Sequence, residues 1–208
     1  MITKKAASII LLLAFSISMA CADTQVSRYH EFDANEIDTL RVDARVGTIQ
    51  VEPSLSGKFE VELTITDENN GGWFRRAPDI DDMDLRSRQS GDQLRLSFNE
   101  DKVKGEWIIR VPPLEQLDVE LGVGTIKVNM AQFGIVADVG VGTIELQANK
   151  SDIGTVELSV GVGDTHIKGG NDTESRRAMV SSESSASGPG SLSIRARAGV
   201  GDVTAELI

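Results

Sequence analysis

Apolar and polar residues alternate with a period of two along most of the chain, the signature of half-buried β-strands. Phe59, Val61, Leu63 and Ile65 share one face of Lys58 to Thr66. Leu117, Val119, Leu121 and Val123 alternate with Asp118, Glu120 and Gly122. After Gly124 the apolar register slips to Ile126 and Val128, and the same slip follows Val139 and Val141, with Ile144 and Leu146 next. A slip beside a glycine is what a bulge or corner produces, because glycine accepts positive φ at no steric cost. Asp84 to Ser97 predicts a hairpin turning at Ser90-Gly91-Asp92, and Trp107 to Val111 a buried strand stopped by Pro112-Pro113. No helix is predicted after residue 22.

The slips belong to a repeat. Arg45-Val46-Gly47-Thr48-Ile49, Gly122-Val123-Gly124-Thr125-Ile126 and Gly140-Val141-Gly142-Thr143-Ile144 are followed by Gly161-Val162-Gly163-Asp164 and Gly199-Val200-Gly201-Asp202. Aligned on the second glycine, the intervals are 77, 18, 21 and 38 residues. A period near 19 predicts stacked units, with Gly47, Gly124, Gly142, Gly163 and Gly201 as equivalent corners of successive rungs and the valines and isoleucines stacked inward. The fold class predicted is all-β: a β-solenoid, close to a single-stranded β-helix, with a hairpin in its N-terminal half. The Ser- and Gly-rich stretch 171–190 breaks the period and predicts a loop inserted between rungs.

These features resemble a bacterial family of secreted proteins known as putative adhesins, of unknown function and related to the toast-rack domains of envelope-stress membrane proteins. The resemblance spans roughly Leu40 to Ile208. It rests on Ser90-Gly91-Asp92-Gln93-Leu94-Arg95-Leu96, on Val111-Pro112-Pro113-Leu114 leading into Leu117-Asp118-Val119, and on the Gly-Val-Gly repeats through Gly199-Val200-Gly201-Asp202-Val203. It implies a solenoid-like stack and a binding role, and it transfers no catalytic residue.

The first residues carry an address. Lys4 and Lys5 precede an apolar run from Ala6 to Ile17, too short to span a bilayer, and small residues follow. This predicts a signal peptide over 1–22, cut after Ala20-Cys21-Ala22, and a single domain over 23–208. Cys21 also permits the reading of a lipidated first residue of an outer-membrane lipoprotein, although Ser18 and Met19 depart from that motif. The expected location is the periplasm or outer cell surface, and no later stretch predicts an integral membrane protein.

Charge narrows the partners. The net charge is −11, and without residues 1–22 it would be −13, from 19 basic and 32 acidic residues. Such a chain is ill suited to nucleic acid, whose phosphates need clustered Lys and Arg.

Candidate chemistry is sparse. Gly122-Val123-Gly124 lacks the third glycine of a dinucleotide fingerprint, since Lys127 stands there. Asp164 and Asp202 alone do not build a calcium-binding nonapeptide array. Asp79-Ile80-Asp81-Asp82-Met83-Asp84 fails the EF-hand pattern, with Asp84 and Ser90 where Gly and Glu are needed. His30 and His166 are the two histidines, too few for a structural zinc site without further ligands. No catalytic residue, metal or cofactor is therefore assigned. The candidate contact segment is Trp73, Phe74, Arg75 and Arg76 after paired glycines, suited to a partner protein, acidic glycan or lipid head group; the same aromatics could instead cap the solenoid core. The function expected is that of an exported, non-catalytic envelope binding or scaffold protein. The alternatives are a polysaccharide-acting β-helical enzyme and an ectodomain component of an envelope-stress sensor.

Overall fold

The computed structural model describes residues 25–67 and 78–208, and among these every regular element is a strand. Twelve strands form one mixed sheet: β1 (Gln25–Phe32), β2 (Thr39–Pro53), β3 (Phe59–Asp67), β4 (Arg86–Ser90), β5 (Gln93–Phe98), β6 (Val103–Val111), β7 (Gln116–Ala131), β8 (Gly134–Ala148), β9 (Ile153–Lys168), β10 (Asn171–Ala178), β11 (Ser181–Ser187) and β12 (Leu192–Leu207). The predicted hairpin is β4 and β5, with Ser90 opposite Gln93 and Gly91 at φ 61°. The strand from Trp107 ends at Val111, before the prolines.

Five long strands, β2, β7, β8, β12 and β9, lie side by side in parallel register, each with a glycine near its middle. Gly47, Gly124, Gly142, Gly201 and Gly163 form one column across them, all at φ between 135° and 146°. The spatial order differs from the sequence order. β12 lies between β8 and β9, so Gly201 pairs with both Gly142 and Gly163. The 38-residue interval holds β10 and β11, so 171–190 is mostly an antiparallel hairpin on the outer edge of β9 instead of a loop.

The glycine column divides each long strand into two arms, both of which face the core. Leu40, Leu117, Ile135, Ile194 and Val156 form one inward row on the first arms. Ile49, Ile126, Ile144 and Val203 form another on the second arms. At Thr165 of β9 this row changes chemistry: its hydroxyl meets those of Ser182 at 2.8 Å and Ser184 at 2.7 Å, and both serines are buried. The β10–β11 hairpin thus closes the end of the core with hydroxyls.

The valines of the repeat do not point inward as expected. Val123, Val141, Val162 and Val200 are exposed. The inward positions Leu121 and Ile126 are five residues apart, an odd number, so strict alternation is lost at the bend and the central valine stands on its outer side. The first glycine is sterically required as well. A Cβ at Gly140 would lie 2.5 Å from the carbonyl oxygen of Gly122 on the next strand, and Gly122 stands in the same relation to Arg45. β2 can carry Arg45 at this position because its neighbour changes there from β5 to β6, and Arg45 pairs with Asp101 in the connection between them.

Candidate surface-binding groove

Outward residues of the first arms form two rows across the strands. One runs Arg41, Asp118, Val136, Arg195, Glu157 and the other Asp43, Glu120, Asp138, Arg197, Ser159. Cross-strand ion pairs stitch them together: Arg41 to Glu120 at 3.1 Å, Arg95 to Asp43 at 3.0 Å and Arg195 to Glu157 at 3.1 Å. Each is partly exposed, so each contributes at most about 1 kcal/mol. In the middle of the rows, burial pushes the Asp138 carboxyl above its ordinary range; Glu120 and Asp118 add to the shift, while Arg197 and Arg195 oppose it.

At the β9–β12 end the rows open into a groove of about 370 Å³. Register explains its shape. Small Ser159 and Ser185 stand between the arginines of β12, Arg195 and Arg197, and the long Glu174 and Arg176 of β10, with Glu157 and Glu183 alongside. Arg176 has no ion-pair or hydrogen-bond partner among the described residues, and Arg197 makes no ion pair there. A guanidinium is a planar fork of donors that matches carboxylate and phosphate, and the serines add hydroxyls. The groove therefore offers guanidinium and hydroxyl donors beside three carboxylates, chemistry suited to a ligand that carries anionic and hydroxyl groups.

The structure places the sites predicted from sequence, and the segments weighed and set aside there, as follows. Ala20, Cys21, Ala22, Trp73, Phe74, Arg75 and Arg76 lie outside the described residues. Gly47, Gly124, Gly142, Gly163 and Gly201 come together as the column described above. The acidic segment 79–84 packs over β1. There Arg28 donates to the carbonyls of Asp81 and of Met83 (3.0 Å), while Asp84 accepts from the Leu85 N–H (2.7 Å) and meets His30 Nε2 at 2.8 Å. Asp202 accepts from the Asp164 N–H at 3.2 Å, and Asp164 pairs with Arg177. His30 sits on β1 at one edge of the sheet and His166 on β9, seven strands away in the sheet order. Among the described residues no three His, Cys, Asp or Glu side chains are grouped to hold a metal.

The groove itself was missed by the sequence reading. Its one signal is the alternation of Ser182, Ser184 and Ala186 inward with Glu183 and Ser185 outward, and serine does not register as apolar.

No family model and no curated protein matches the chain. Among crystal structures it is similar to a putative cell adhesion protein from Clostridium sporogenes, at 13% identity and a TM-score of 0.46, over 89% of this chain and 100% of that one. It is also similar to a putative adhesin from Bacteroides fragilis, at 13% identity and a TM-score of 0.29, over 90% of this chain and 98% of that one.

Proposed function

We propose that the protein is an exported, non-catalytic binding or scaffold protein of the cell envelope, of the adhesin type, whose long strands build a solenoid-like stack with a charged outer face. The observation that carries this reading is the groove between β10 and β12. There Arg176 has no partner among the described residues and Arg195 is engaged only by an exposed pair, so both are available to a ligand. The apolar run and Ala20-Cys21-Ala22 support export to the periplasm or outer surface, where acidic glycans, lipid head groups and proteins all offer anionic groups. Acylation of Cys21 would place the same groove on a membrane surface.

A pull-down from intact envelopes with the purified protein tests the reading. The expected result is capture of an envelope component that is lost when Arg176→Ala and Arg195→Ala are combined. Capture unaffected by that pair would remove the groove from the account. Release of soluble fragments from envelope glycan in the same incubation would favour the polysaccharide-acting reading instead.

A further inference from the structure

A second surface lies at the bends, away from the groove floor. Nine large apolar side chains are exposed among the described residues, and six of them form one line. Val123, Val141, Val200 and Val162 are cross-strand neighbours in register, each 45–49% exposed. The line continues into the tip of the β10–β11 hairpin, because Gly163 N–H donates to the Val180 carbonyl at 3.1 Å. Val180 is 60% exposed, and Met179, held at φ 43°, is fully exposed. Neighbouring β-branched residues pack on one another along a sheet, which accounts for valines in a ladder but not for a bare methionine at its end. So concentrated an apolar line on an acidic protein marks an interaction surface.

Its shape identifies the occupant. Beside the ridge runs a groove of about 550 Å³ floored by the first glycines of the repeat, Gly122, Gly140 and Gly199. Ridge and groove share β7, β8 and β12, the groove reaching on to β2 and the ridge to β9, so both repeat at the strand spacing of about 4.8 Å. A two-fold axis parallel to the stacking direction brings the ridge of one molecule over the groove of another and the reverse, which is the self-complementarity of an isologous dimer.

Charge fits the same arrangement. Such an axis faces each strand with its own copy, so the wall beyond the groove meets the positions just past the second glycine. Glu120 then faces Thr125, Asp138 faces Thr143, and Arg197 faces Asp202 of the other molecule. No like charges meet, and Arg197, which beyond its attraction to Asp138 makes no ion pair among the described residues, gains a carboxylate. Six such side chains present on the order of 500 Å², and pairing two ridges buries about 1,000 Å², the lower bound for a specific interface.

We infer that the chain forms a two-fold dimer through the Val123–Val141–Val200–Val162 ridge and the adjoining glycine groove, with Arg197 of each molecule paired to Asp202 of the other.

Sedimentation velocity over roughly 1–200 µM, a span that covers weak interfaces of this size, tests it. The purified protein should sediment as a dimer. Val141→Lys combined with Val200→Glu places opposite charges on adjacent strands, so the fold is retained while the apolar ridge is broken; this variant should be monomeric with its melting temperature kept. Arg197→Asp should weaken the dimer at least tenfold, and adding Asp202→Arg should restore it. A wild-type monomer throughout the range, whether or not it binds phosphatidylcholine vesicles, would overturn the inference. So would a dimer that the ridge variant leaves intact, or a swap that behaves like the single reversal.

Discussion

Gly142 lies directly beside Gly124 on the neighbouring parallel strand, so close that a Cβ on Gly142 would sit far inside contact distance of the Gly124 carbonyl oxygen. Gly142 also has φ 146°, a conformation that side-chain-bearing residues rarely adopt. Gly142→Val therefore combines strain with a backbone collision and should cost about 3 kcal/mol or more. Thr143→Val, one residue on and partly exposed, should fall within about 0.5 kcal/mol of the parent. Thermal unfolding of the two variants side by side makes the comparison, and equal small shifts would show that the column is not a structural corner.

At Thr165 the prediction concerns hydroxyls. In register Thr165 faces Val203, but its hydroxyl joins the buried Ser182 and Ser184. Thr165→Val keeps the shape and leaves those groups short of a partner, which should cost about 1–3 kcal/mol. Ser184→Ala added to it should cost less than the sum of the two single changes, because the network is already broken. Strict additivity in urea unfolding would mean the hydroxyls do not act together.

Asp138 carries a pH dependence. Its carboxyl is held above the ordinary range by burial, and then by Glu120 and Asp118, so the folded chain binds that proton more tightly than the unfolded chain does. Its contribution to stability therefore grows as the pH falls through the raised value and is complete below the usual carboxylate range. At neutral pH the ionised group weighs against folding. Asp138→Asn should raise the melting temperature at pH 7, and the gain should vanish at acidic pH. A variant less stable than the parent at pH 7 would show that attraction to Arg197 and Arg195 outweighs burial.

Export makes a prediction of its own. Cleavage after Ala22 gives a chain that begins at Asp23, and intact mass of the protein recovered from the envelope reads this directly. A diacylated Cys21 at the new N-terminus would instead tether the protein to a membrane.

Much of the fold was legible because the glycines are sterically forced. Only a bare residue tolerates both the φ of Gly142 and the approach of Gly124, so the repeat shows in sequence and fixes the register of five strands. The hairpin at Gly91 was legible for a similar reason, positive φ at the first turn position. Spatial order was not legible. A glycine at 201 satisfies a neighbour at 142 and one at 163 equally, so spacing alone does not place β12 between β8 and β9. The register slip at the bend was legible, but not that it begins before Val123, which turns that valine outward while Leu121 and Ile126 stay buried. The groove stayed hidden because β11 carries its alternation in serines and β10 is exposed throughout.

The central claim, that the charged groove is a binding surface, is tested most directly by measuring how much purified protein co-sediments with isolated envelopes as Arg176→Ala and Arg195→Ala are introduced together. These side chains are exposed or half-exposed and make no buried contact, so the melting temperature should be unchanged while association falls at least tenfold. Association at the parental level with an unchanged melting temperature would contradict the account.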